Sequence, residues 1–122
     1  MSTTDVNKLP ANVSIPLSPD VRAAYQDLYN KIQTEIDGTM DLVAVEALNP
    51  QLNEVGQVLT KDDEYRLTQD TAIFAALKTQ VISVNQGIKT LRAEIAATAS
   101  HFATAGAILG AIDKVLTLVP GL

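Results

Sequence analysis

The chain has 122 residues, 47% of them apolar but only 4% aromatic, with no Trp, no Cys and a formal net charge of −5. Without thiols there is no disulfide framework, no cysteine-ligated zinc and no cysteine nucleophile, and an apolar content carried by Ala, Leu, Val and Ile favours helices over a sandwich or barrel. No basic run or aromatic–basic stripe offers a footprint for a phosphate backbone, which excludes nucleic acid as a partner.

A chain of this length is expected to form one domain that buries roughly two thirds of its unfolded surface. Its charge is uneven: residues 1–70 hold twelve acids and five bases, residues 71–122 two acids and four bases. The first stretch, "MSTTDVNKLPANVSIPL", reads as an extended N-terminal arm over 1–17. It lacks the basic and continuous apolar regions of a secretory signal, so the default expectation for location is cytoplasmic.

Ser18, Pro19 and Asp20 then form a helix start: a capping hydroxyl, a proline at the first helical position and an acid at the positive helix end. Val21, Tyr25, Leu28, Ile32, Ile36, Met40, Val43 and Ala47 follow at spacings of three and four. Gly38 is a weak point, and Asn49-Pro50 is expected to stop this helix, predicting an element over 18–48. A short helix over 50–59 is expected to turn Leu52, Val55 and Leu59 inward.

Thr60 with Asp62-Asp63-Glu64 signals another start, its acids placed for the helix dipole. From there Leu67, Phe74, Val81, Ile88, Ile95, Phe102, Leu109 and Leu116 lie seven apart, and most positions three residues later are also apolar. A heptad sustained this long predicts a coiled-coil-like helix over 61–119. The expected fold is therefore all-α, a helical hairpin or bundle with one long C-terminal heptad helix. The alternative is a compact bundle of three long helices with a break near 83–87, where Asn85 and Gly87 offer a cap and a turn.

The stretch "IAATASHFATAGAILGAI" (95–112) carries no formal charge apart from one histidine. It is barely long enough to span a bilayer, is dominated by alanine and has no aromatic belt. As a membrane-surface helix it lacks a cationic polar face. Close packing fits it best. A seam of Ile88, Leu91, Ile95, Phe102, Ala105, Leu109, Ile112 and Leu116 is expected to pair with another copy of the chain. Beside it, Ala99, Ala103, Gly106, Ala107, Gly110 and Ala111 form a close-packing ridge. Asp70 and Thr98, the polar interruptions of the heptad, are candidates for setting register.

Chemistry-bearing constellations are sparse. His101 is the only histidine, and its helical neighbours at spacing four are Ala97 and Ala105, which cannot orient a general base. Asp37 and Asp41 share a helix edge without the Glu-x-x-His pairs of a di-iron site. Phosphate-loop, dinucleotide, nucleophile-elbow and zincin motifs are missing. The sequence thus points to a non-enzymatic helical interaction or assembly protein. It uses no cofactor or metal and self-associates through its Ala/Gly-rich C-terminal helix, with a further protein partner possible. The alternative is a membrane-active or hydrophobic-surface-binding protein using 95–119.

Overall fold

The computed structural model describes residues 15–119. Most of the expected arm, residues 1–14, and residues 120–122 lie outside the described residues. The described residues are all helical: α1 (Pro19–Gly38), α2 (Leu42–Thr68), α3 (Thr71–Ala97) and α4 (Ala105–Leu118), with a 3-10 turn at Ala99–His101. Short connections make each helix antiparallel to the one before. α4 packs on both α3 and α1, closing an up–down four-helix bundle.

α1 begins as expected, with the Ser18 hydroxyl accepting the Val21 N–H at 3.3 Å and Pro19 in the first turn. Its inward stripe is Val21, Ala24, Tyr25, Leu28 and Ile32. The helix does not reach residue 48. It ends at Gly38, and Thr39 is extended (φ −117°, ψ 150°). The Thr39 hydroxyl accepts the Asp41 N–H at 3.1 Å, and Asp41 caps α2 by accepting the Val43 N–H at 2.9 Å. Short polar side chains that bond nearby backbone compete with helix continuation, and here they win. Met40, expected on the inward stripe, is 97% exposed.

Asn49-Pro50, expected as a stop, lies inside α2. Glu46, Asn49 and Pro50 are all exposed, so the carbonyl that proline leaves unpaired lies on the solvent side. The helices expected at 50–59 and from 61 onward are thus parts of one element. Asp62, expected in a first turn, lies near the end of α2 and is fully buried. It accepts the Leu17 N–H at 2.8 Å, Arg22 Nη1 at 2.6 Å and Arg66 Nε at 2.9 Å, while Arg66 Nη2 donates to the Leu17 carbonyl at 2.6 Å. The chain entering α1 is thereby clipped to α2.

The long helix over 61–119 is interrupted twice, neither time at 83–87. At the first corner Gln69 adopts a left-handed conformation (φ 51°) and donates its N–H to the Tyr65 carbonyl at 2.7 Å. Asp70 then accepts the Ala72 N–H at 2.7 Å. Asp70 is the cap that starts α3, not a polar position within a continuous seam. Leu67, the first heptad residue, is 87% exposed. The second corner spans 98–104.

Through 83–87 α3 is continuous, and its two apparent breakers serve packing instead. Buried Asn85 accepts the Tyr25 hydroxyl at 2.6 Å. Gly87 admits the Gln51 amide, whose Oε1 stands 2.5 Å from where a Cβ would lie. In α4 the buried stripe is Ile108, Ala111, Ile112 and Val115. It is displaced by one residue from the heptad positions Leu109 and Leu116, which are half-buried. The unbroken seven-residue spacing joins two stripes that belong to different helices.

The Asn85 Nδ2 and Gln51 Oε1 have no hydrogen-bond partner among the described residues. Tyr25→Phe leaves the Asn85 amide unpaired and is expected to cost about 1–2 kcal/mol, whereas Tyr25→Phe with Asn85→Leu should recover at least half of that. Urea unfolding at constant m-value checks this. Fully additive losses in the double variant would contradict the pairing.

Candidate functional site

The features expected to carry function gather at the bundle end where α1 turns into α2 and α3 into α4. α3 closes with the Thr98 hydroxyl donating to the Glu94 carbonyl at 2.7 Å. Phe102 is buried after the 3-10 turn. Thr104, at the start of α4, makes no side-chain cap of its own. Glu35 of α1 supplies one from outside the helix. Its carboxylate accepts the Ala103 N–H at 2.9 Å, the Thr104 N–H at 2.8 Å and the Thr104 hydroxyl at 2.5 Å. The residue is only 3% exposed. Burial pushes its carboxyl up, but the Thr104 hydroxyl and the two amides together outweigh burial and hold it below the ordinary glutamate value. The negative charge also meets the positive end of α4.

A second link joins the same corners. Asp41 Oδ2 lies 2.8 Å from His101 Nδ1. The hydrogen bond to His101 is the main reason the Asp41 carboxyl is held below its ordinary value. Desolvation opposes it, and the Val43 and Ala44 amides assist. His101 therefore has the orienting carboxylate that its helical neighbours cannot provide. Among the described residues no hydroxyl hydrogen-bonds to the imidazole, and no group of three or more His, Asp or Glu side chains is placed to hold a metal ion.

The expected oligomer seam is occupied within the chain. Ile88, Leu91, Ile95, Phe102 and Ile112 are buried in the bundle core, and Ala105, Leu109 and Leu116 pack against its edge. Five of the eight seam side chains are thus covered within the chain, and Ala105, Leu109 and Leu116 are half-buried. The expected ridge divides differently: Ala111 is buried, whereas Ala99, Ala103, Gly106, Ala107 and Gly110 are exposed. A Cβ at Gly106 or Gly110 would meet nothing within 4 Å, so the bundle itself makes no use of either glycine. Next to this face, at the α1–α2 corner, Met40 and Leu42 are the most solvent-exposed large apolar side chains of that end, with Val43 beside them.

The sequence did not reveal Glu35 as a cap or Asp41 as the partner of His101. Both act across 60 or more residues. Gly38-Thr39-Met40-Asp41 did hold a usable signal, since a glycine followed by two capping residues describes a corner. No helix among the described residues is long and apolar enough to cross a membrane. Comparison with protein-family models, with curated proteins and with solved structures finds no match.

Since the folded state holds both carboxyls below their ordinary values, their stabilisation is complete above the unfolded values near 4 and is lost as pH falls further. Glu35→Gln should therefore cost about 1–2 kcal/mol at pH 7 and clearly less at pH 3. Chemical denaturation at the two pH values checks this; an equal loss at both would contradict the charged cap.

Proposed function

We propose that the protein is a non-enzymatic helical interaction or assembly protein that docks through the outward Ala/Gly face of α4, in the first place onto a second copy of itself. One observation carries this reading: the outer face of the first two turns of α4, ahead of Asp113 and Lys114, is free of charge, built of small residues and uncovered, while most large apolar side chains of the same stretch are spent on the core. Small residues let a second helix approach closely, and burying a charge-free face incurs no ionic desolvation. The apolar side chains at the α1–α2 corner extend the contact.

A membrane-surface role fits less well. Ile108, Ile112 and Val115 point into the bundle, so lipid contact requires α4 to leave it. Lys114 is the only base after Arg92 to attract an anionic surface.

The wild-type protein is expected to run above its 13.0 kDa chain mass in light scattering after size exclusion, without detergent. Ala107→Glu alters an exposed position, so it should leave the helical content unchanged while shifting the mass to that of one chain. A wild-type monomer across the concentration range would contradict the proposal.

A further inference from the structure

Three carboxylates tie α4 to the rest of the bundle. Glu35 of α1 caps its first turn, Asp113 within it pairs with Arg92 of α3, and Asp41 holds His101 in the corner just before it. Thr104 supplies no cap of its own, and residues 96–105 contain neither glycine nor proline. The fold-back therefore rests on contacts with other helices and not on a local break. Beyond these ties α4 is held by its apolar stripe, Ile108, Ala111, Ile112 and Val115.

Acid acts on these ties and on the charge of the whole chain together. The ionisable groups around the corner are Glu35 and Asp37 at the end of α1, Asp41 and Glu46 at the start of α2, Arg92 and Glu94 near the end of α3, and His101 itself. Within α4 no ionisable residue precedes Asp113. Farther along, Lys114 lines a cleft of about 480 Å³ with Asp20 and Asp27 of α1. Glu35 and Asp41 stabilise the fold fully above the unfolded values near 4 and cease to do so as pH falls further. The chain changes sign over the same interval. Its formal charge is −5 at pH 7, and protonation of every acid leaves +10 from nine Lys and Arg and one His.

We propose that acid releases α4 and that the released helix binds an anionic lipid surface. Ala105–Leu118 is about 21 Å long, too short to span a bilayer, so it lies flat in the interface. Ile108, Ile112 and Val115 leave the core on one side, with Leu109 and Leu116 beside them. On the other, Gly106, Ala107 and Gly110 add no polar side chain. With Asp113 neutralised the helix holds no negative charge, while Lys114 reaches the headgroups on its apolar stem. Surface binding strengthens with buried apolar area and with attraction to anionic headgroups. At neutral pH both are missing, because the stripe is in the core and the chain is negative. Acid supplies both at once. This binding uses the inward side of α4 and stands apart from self-docking through its outer face.

Vesicle flotation of the full chain tests this. Wild-type protein should float with phosphatidylglycerol vesicles at about pH 3.5 and not at pH 7, and more weakly with phosphatidylcholine vesicles. Glu35→Gln should move the onset of flotation toward neutral pH. The chain has no Trp, so Leu109→Trp places a single reporter at a half-buried position of α4, and brominated phosphatidylglycerol should quench its emission in the floated protein. A short bismaleimide link between Arg92→Cys and Asp113→Cys, both exposed positions, holds α4 in place. The linked protein should stay unbound in acid although its charge is still strongly positive. No flotation in acid, flotation with the Trp unquenched, or equal flotation of the linked protein would each overturn the proposal. Equal sedimentation of acidified protein without vesicles would also overturn it and assign the released helix to other copies of the chain.

Discussion

The amides at the start of α4 find their hydrogen-bond partner in a glutamate of another helix, and the C-terminal half of the bundle depends on that arrangement. A helix N-terminus leaves unpaired N–H groups that must be met by side chains or by water. At Ala103 and Thr104 no local side chain does this, and the corner presses against the end of α1. Glu35 meets both amides and the Thr104 hydroxyl at once. A carboxylate with so little exposure is tolerable only because three donors replace its water. The Asp41–His101 contact fastens the neighbouring corner.

Once α4 is turned back at this point, the division of its side chains follows. Ile108, Ala111, Ile112 and Val115 are buried against the bundle, and what is exposed on the first two turns of α4 is alanine and glycine, with Asp113, Lys114 and Thr117 following. The charge-free patch is therefore what remains on the first turns of a short helix whose large residues lie in the core or at its edge. The opposite half of the molecule is fastened in the same style. There Asp62, buried between two arginines and the Leu17 backbone, holds the entry to α1 against α2. Two buried carboxylates, one at each end, set how far the helices can slide past one another.

Local features were legible in the sequence, and distant ones were not. The Ser18-Pro19 start and the first part of the α1 stripe, Val21 to Ile32, are written within one or two turns and are as expected, whereas its continuation through Met40 and Val43 is not. The all-helical class followed from composition. The corner at 69–70 was hidden because Gln69 takes a left-handed conformation without being glycine, and because Asp70 looked like a defect in a seam instead of a cap. Pro50 suggested a stop, yet its unpaired carbonyl lies toward water and α2 continues. The heptad across 98–104 was misleading for a specific reason: residues seven apart on two different helices can keep their spacing while the buried stripe moves by one position. The small-residue ridge was visible from its composition. The side it faces was not, since alanine is at home in a core and on a surface alike.

The fold-back of α4 is most directly tested by the distance between nitroxide labels at the exposed positions Lys89 and Lys114, measured by pulsed dipolar spectroscopy with excess unlabelled protein. An uninterrupted helix separates these residues by about 38 Å. Adjacent antiparallel helices place their axes about 8–10 Å apart, and the Arg92–Asp113 ion pair sets the two positions nearly level. A short distance that survives dilution is the result expected here. A population centred near 38 Å, or a short distance that disappears on dilution, would contradict a bundle closed within one chain.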